Sequence, residues 1–221
     1  MQRRFAIILG GGRSARMGRD KRSLRLGGRS LLAIAVDACA DRDMIVAVTP
    51  DLPDDVAAGR VRCTLEDPPF GGPVAGIAAG MAALPPAERD DEVLVLACDL
   101  PHAGEIVAIL DEASLVEDVG GESTPEAPAS SADRGLDRLD SRGHDRRQFD
   151  CTCLVDAEGY PQYLAARYRR TALQDRLAAV GETRGTSVRR LMAGLSVLHI
   201  PAAEIATDVD TPDEAAAAGI S

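Results

Sequence analysis

Short apolar runs alternate with longer amphipathic ones along most of this chain. Arg4–Leu9 (RFAIIL), Met44–Thr49 (MIVAVT), Val61–Glu66 and Glu92–Asp99 (EVLVLACD) read as strands. The last is apolar almost throughout, the pattern of a strand covered on both faces. Between them, Ser30 is placed to cap a helix through Ala40, Pro73–Leu84 reads as helical, and His102–Leu115 follows as a further helix. Strands alternating with helices predict a mostly parallel sheet, joined by right-handed crossovers and covered by helices on both sides.

The alternation stops at 120–147, GGESTPEAPASSADRGLDRLDSRGHDRR, a stretch rich in Gly, Pro, Ser and charge with little to bury. It is expected to be a flexible insertion within one domain spanning 1–221. Order resumes at CTCLVDAEGYPQYLAARY, where two extended runs flank Glu158–Gly159 and predict a β-hairpin. Thr171–Val180 and Val188–Ala193 read as helices and Leu195–Pro201 as a late strand. Near the end, Thr211, Pro212 and Glu214 form a capping box that opens a helix through Ala217.

Composition narrows the class. A 45% hydrophobic content over 221 residues supports a core of its own. No apolar run reaches about 18 residues, so no membrane span is expected. The basic start MQRRFAIILGGG has an apolar run of only Phe5–Leu9, too short for a secretion signal, and a cytoplasmic protein is expected. The five cysteines show no zinc spacing and are expected to be buried free thiols, with Cys151 and Cys153 on one strand face.

Charge is unevenly placed. The chain carries net −10, yet residues 1–30 hold nine Arg or Lys against one acid, Asp20. A positive pole on an acidic body suits a small polyanion and argues against nucleic acid as a partner. Its focus is GGGRSARMGRDKRSL, residues 10–24, which includes Lys21, the only lysine in the protein. A strand running into Gly10, Gly11 and Gly12 lets the backbone approach a ligand, with amide N–H groups aimed at phosphate oxygens. Arginine serves elsewhere wherever charge alone suffices; a compact ammonium with rotatable donors suits a crowded triphosphate. Gly10-x-Gly12-x-x-Ala15 also fits a loose dinucleotide fingerprint, but no helix follows directly and no acid closes the second strand. The P-loop pattern is absent. A plain glycine turn with surface arginines leaves Lys21 unexplained.

The segment LGGGRSARMGRDK resembles the signature of the MobA-like nucleotidyltransferases, with Leu9, Gly11, Gly12, Ser14, Arg16, Met17, Gly18, Asp20 and Lys21 matching. Gly10 stands where that family usually has alanine. EDPPFGGPVAGIAAG resembles the second motif and places Asp67 at a nucleotide-binding aspartate, with Gly72, Pro73 and Gly76 shaping a loop into a helix. LVLACDLPH matches at Cys98, Asp99 and Pro101. DVDTPDE resembles the C-terminal motif through Asp210, with Asp208 beside it. EGYPQYLAARY resembles the acceptor-facing segment, with Tyr163 in place of a proline.

The resemblance implies a three-layer α/β/α fold with a mostly parallel Rossmann-like sheet of the nucleotide-diphospho-sugar transferase type and a β-hairpin insertion. It implies transfer of GMP from GTP to the phosphate of molybdenum-molybdopterin, with release of pyrophosphate. Leu9, Gly10, Gly11, Gly12, Ser14, Lys21, Asp67, Gly72 and Asp99 would bind the nucleotide. Arg16, Lys21 and Asp99 would act in catalysis, and Mg²⁺ would sit on Asp99 and Asp210. A strand-end carboxylate is suited to Mg²⁺, which takes one or two carboxylates and draws its other ligands from phosphates and water. Cytidylyl transfer to the same pterin, guanylyl transfer to another phosphorylated acceptor, and nucleotide binding without catalysis remain open. A monomer or weak oligomer is expected.

Overall fold

The structure is a computed structural model and describes residues 2–10, 24–57, 59–88, 91–115, 149–202 and 219–220. In chain order the elements are β1 (Arg4–Leu9), β2 (Arg25–Leu26), β3 (Arg29–Ser30), α1 (Leu31–Ala38), β4 (Met44–Val48), β5 (Val61–Thr64) and α2 (Pro73–Ala83). There follow β6 (Glu92–Ala97), α3 (Ala103–Leu115), β7 (Cys151–Val155), β8 (Pro161–Arg169), α4 (Arg170–Val180), α5 (Val188–Met192) and β9 (Val197–Pro201). Seven strands form one sheet in the order β5-β4-β1-β6-β8-β7-β9. β5, β4, β1 and β6 run parallel; β8 is antiparallel to both β6 and β7; β9 runs parallel to β7.

The apolar runs read as covered strands because both faces are covered. Ala6 and Ile8 of β1 and Leu94 and Leu96 of β6 pack on one face with Leu32 and Val36 of α1 and Ile106 and Leu110 of α3. Their alternates Phe5, Ile7, Leu9, Val93 and Val95 pack on the other with Val74 and Ile77 of α2, Leu173 of α4 and Leu191 of α5. Successive side chains on a strand point to opposite faces, so two helical layers need an unbroken apolar run between them. The hairpin around Glu158–Gly159 forms as expected, and both of its strands belong to the main sheet.

Ser30 caps α1 as expected, its hydroxyl accepting from the Ala33 N–H at 3.1 Å. Two points differ from the sequence reading. Cys63 is exposed, because β5 is an edge strand whose pattern is open to solvent, while Cys39, Cys98, Cys151 and Cys153 are buried; all five thiols are free. The segment before α1 is a small hairpin, with β2 and β3 antiparallel around Gly27 and Gly28 at φ +57° and +83°. Positive φ at both turn residues is what a two-residue hairpin of this hand requires. The 120–147 insertion and the helix opened at Thr211 lie outside the described residues. Among the described residues, no helix is long and apolar enough to cross a membrane.

Candidate active site

β1 and β6 are neighbours, yet the chain leaves β1 toward β4 and β5 and only later returns to β6 on the other side. The winding reverses between β1 and β6. Open α/β sheets collect ligands outside the carboxyl ends of their strands at such a point. Leu9 and Gly10 end one of these strands; Cys98 and Asp99 follow the other. The Cys98 N–H donates to the Leu9 carbonyl at 3.1 Å, which holds the two ends in register. Asp99 sits in the turn after β6 and is 5% exposed.

Gly10 contributes differently from what was expected. Its N–H donates to the Val48 carbonyl at 3.0 Å, so this amide continues the sheet ladder and is not presented to a phosphate. Its missing side chain matters more, since a Cβ there would lie 3.0 Å from the Cβ of Thr49, which is buried. Glycine at this position goes with the threonine that closes β4. Leu9 likewise puts its side chain into the core. Both residues frame the start of the basic loop.

The far stem of that loop is also pinned. The Leu31 N–H donates to the Leu24 carbonyl at 3.0 Å, and Leu24 packs with Leu31 and Ile220. Asp55 clamps the β2–β3 hairpin, accepting from the Ser30 N–H and the Ser30 hydroxyl, both at 2.7 Å, with Arg25 at 3.3 Å. Burial works against the Asp55 charge, but the two Ser30 donors and Arg25 outweigh it and hold the pKa below the usual carboxylate range. The sequence reading did not single out Asp55, which lies 25 residues from the group it holds.

The second loop connects β5 to α2. Asp67 is exposed, and Gly72 is the residue that caps α2, with Pro73 in its first turn. Glu66, also unremarked in the sequence, accepts from the Gly71 N–H through Oε1 at 3.3 Å, while its Oε2 is buried without a hydrogen-bond partner among the described residues. From the α4–α5 turn, Arg184 donates to the carbonyls of Pro68 at 2.9 Å and Pro69 at 3.3 Å, and the Gly185 N–H donates to Gly71 O at 2.8 Å. The Glu66 signal stood beside Asp67 in the quoted motif; nothing local marks Arg184.

On β8, Gln162 donates to Asp156 at 2.6 Å and Tyr163 is half-buried against the core. Gly11, Gly12, Ser14, Arg16, Lys21, Asp208 and Asp210 lie outside the described residues. The structure therefore brings together Leu9, Gly10 and Asp99, with Asp67 and Gly72 on a separate loop at the same end of the sheet. Among the described residues, no three metal-ligating side chains cluster.

The model of the MobA-like NTP transferase domain matches residues 6–199, the whole described sheet but for the last residues of β9 and the first two of β1. The chain belongs to this family. A probable molybdenum cofactor guanylyltransferase of Synechococcus elongatus is 41% identical over 103 residues, 44% of this chain and 50% of that protein. The chain thus spans about half the length of the curated relatives it matches. Molybdopterin-guanine dinucleotide biosynthesis protein A from Archaeoglobus fulgidus superposes with a TM-score of 0.61 over 97% of this chain and 96% of that one, at 19% identity. 2-C-methyl-D-erythritol 4-phosphate cytidylyltransferase from Thermus thermophilus gives 0.59 over 99% and 98%, at 13% identity. The MobA-like fold is thus shared with enzymes named for different bases, and the fold alone does not choose among them.

Proposed function

We propose that this MobA-like chain transfers GMP from GTP to the phosphate of a molybdenum-molybdopterin acceptor and releases pyrophosphate. The observation that carries the reading is the placement of Gly10 and Asp99 at adjoining strand ends across the β1–β6 gap. The names of the guanylyltransferase relatives support the base and the acceptor.

An oxygen of the acceptor phosphate attacks the α-phosphorus of GTP, and the bond from that phosphorus to the bridging oxygen of the β-phosphate breaks. The attacking oxygen is already ionised, so no general base is required. The protein contributes position and charge neutralisation. The basic loop 10–21 would wrap the triphosphate, with Lys21 and Arg16 offsetting the charge that builds on departing pyrophosphate. Asp67 and Gly72 would border the nucleoside.

Mg²⁺ fits the donor set: Asp99 is a hard oxygen donor at the strand end, and a magnesium ion needs only one or two such carboxylates beside phosphates and water. Asp99 would hold it, with Asp210 as the second carboxylate. When bound, it would neutralise phosphate charge. Incubation with GTP, Mg²⁺ and molybdopterin, followed by product analysis, tests the assignment. A guanine dinucleotide product with stoichiometric pyrophosphate supports it. Product only with CTP moves the chain to cytidylyl transfer, and tight GTP binding without turnover on any acceptor points to a binding protein.

A further inference from the structure

β5 is the outermost strand at one side of the sheet, and among the described residues β4 is its only strand partner. Thr64 turns its carbonyl toward β4, where it accepts from the Thr49 N–H at 2.9 Å. The N–H and C=O of one strand residue point the same way, and that direction alternates along the strand. Arg62 and Thr64 therefore spend their backbone groups on β4, while Val61 and Cys63 aim theirs outward. An open edge of this kind is a template for another strand.

The kind of strand that fits is written in RVRCTLED, residues 60–67. Val61, Cys63 and Leu65 alternate onto one face; Cys63 is exposed and Leu65 is 37% exposed. The segment enters with two cations, Arg60 and Arg62, and leaves with two acids, Glu66 and Asp67. Arg60, Arg62 and Asp67 are exposed. A parallel copy would set cations on cations and acids on acids, and would leave a further edge open. An antiparallel copy sets each basic entry beside the other's acidic exit and closes after two chains. With the axis at Cys63, Val61 meets the second copy's Leu65 on the apolar face and Arg62 meets its Thr64 on the other. Moving the axis to Arg62 opposes two arginines, and moving it to Thr64 sets Val61 opposite Asp67.

We propose that the outer edge of β5 pairs antiparallel with the same edge of a second copy of this chain, on a two-fold axis through Cys63. The inference stands apart from the nucleotide-transfer reading. The contact is short, so the dimer is weak and depends on concentration. At the axis the two Cys63 residues exchange their N–H···O=C bonds with Cα atoms about 5.5 Å apart, which puts both thiols within reach of a short bismaleimide.

The test is sedimentation velocity of the full chain over about 1–500 µM, beside cross-linking with bismaleimidoethane. Wild type should shift from one chain toward two as concentration rises, and the cross-linker should trap a covalent dimer. Cys63→Ser should keep the concentration-dependent dimer and lose the cross-link, since the other four cysteines are buried. Cys63→Lys sets two ammonium groups face to face on the axis and should weaken association at least about 10-fold. Its melting temperature should stay near wild type because the position is exposed. A wild type that stays monomeric across the range overturns the inference. So does association as strong in Cys63→Lys as in wild type, or a dimer that the cross-linker does not trap through Cys63, since either places the contact elsewhere.

Discussion

Arg184 reaches across 116 positions of chain to donate to the Pro68 carbonyl at 2.9 Å. The turn that carries it joins α4 to α5, and α4 follows directly on β8, in the antiparallel half of the sheet. Pro68 belongs to the loop that presents Asp67, in the parallel half. One exposed guanidinium therefore ties the two halves together at the edge of the candidate site. Arg184→Ala should raise KM for GTP about 5-fold with kcat within about 2-fold, the effect of losing roughly 1 kcal/mol of loop ordering. Steady-state kinetics checks it, with thermal melting expected to stay close to wild type because the side chain is at the surface.

Asp99 stands at the strand reversal, where charge on the triphosphate has to be met. Asp99→Asn should lower turnover by about 10²-fold or more while leaving the fold intact, the scale for one preorganised electrostatic contact. Lys21→Ala should act on the same scale. Pyrophosphate release measured beside circular dichroism separates loss of chemistry from loss of fold. Near-normal turnover in either variant would remove the residue from its proposed role.

The Gly10–Thr49 contact predicts a cost for restoring the family's usual residue. Gly10→Ala would bring a Cβ to 3.0 Å from Thr49 Cβ in a buried setting. It should destabilise the protein by about 1–3 kcal/mol, the range for overpacking. A shift of the urea midpoint with unchanged slope is the expected signature.

At the opposite end of the sheet, Asp91 is buried and receives Arg3 at 2.6 and 3.0 Å, Arg170 at 3.0 Å and the Glu88 N–H at 2.8 Å. Burial opposes its charge, but Arg3, the Glu88 amide and Arg170 together hold its pKa below the ordinary value. A depressed carboxylate contributes stability that is present above its unfolded pKa of about 4 and is lost as pH falls through the lower folded value. Asp91→Asn should therefore cost about 3–5 kcal/mol at neutral pH, since it leaves the buried Arg170 without its carboxylate partner. The gap from wild type should narrow as pH drops below about 4. Urea unfolding across pH checks both the size and the sign.

Much of the fold was legible because strand and helix faces announce themselves locally. Phe5, Ile7 and Leu9 alternate with Ala6 and Ile8, and the structure sends the two sets to different helical layers. Ser30 capped its helix as its residue type implied. EVLVLACD marked Asp99 as the end of a buried strand; the structure ends β6 at Ala97 and puts Asp99 in the turn that follows. Cys63 misled because an apolar neighbourhood does not reveal that its strand lies at the edge.

The sequence by itself determined the layers, the family and the positions where chemistry is expected, since these depend on residue order over a few turns of chain. Tertiary structure alone decided that Gly10 spends its N–H on Val48, that Asp55 clamps Ser30, that Arg184 holds Pro68, and that Glu66 keeps one oxygen without a hydrogen-bond partner among the described residues. Each of these is a bond, or a missing bond, to a group that sequence distance does not predict. Hydrogen-bond partners are chosen by which strands lie adjacent, and strand order is a property of the assembled sheet.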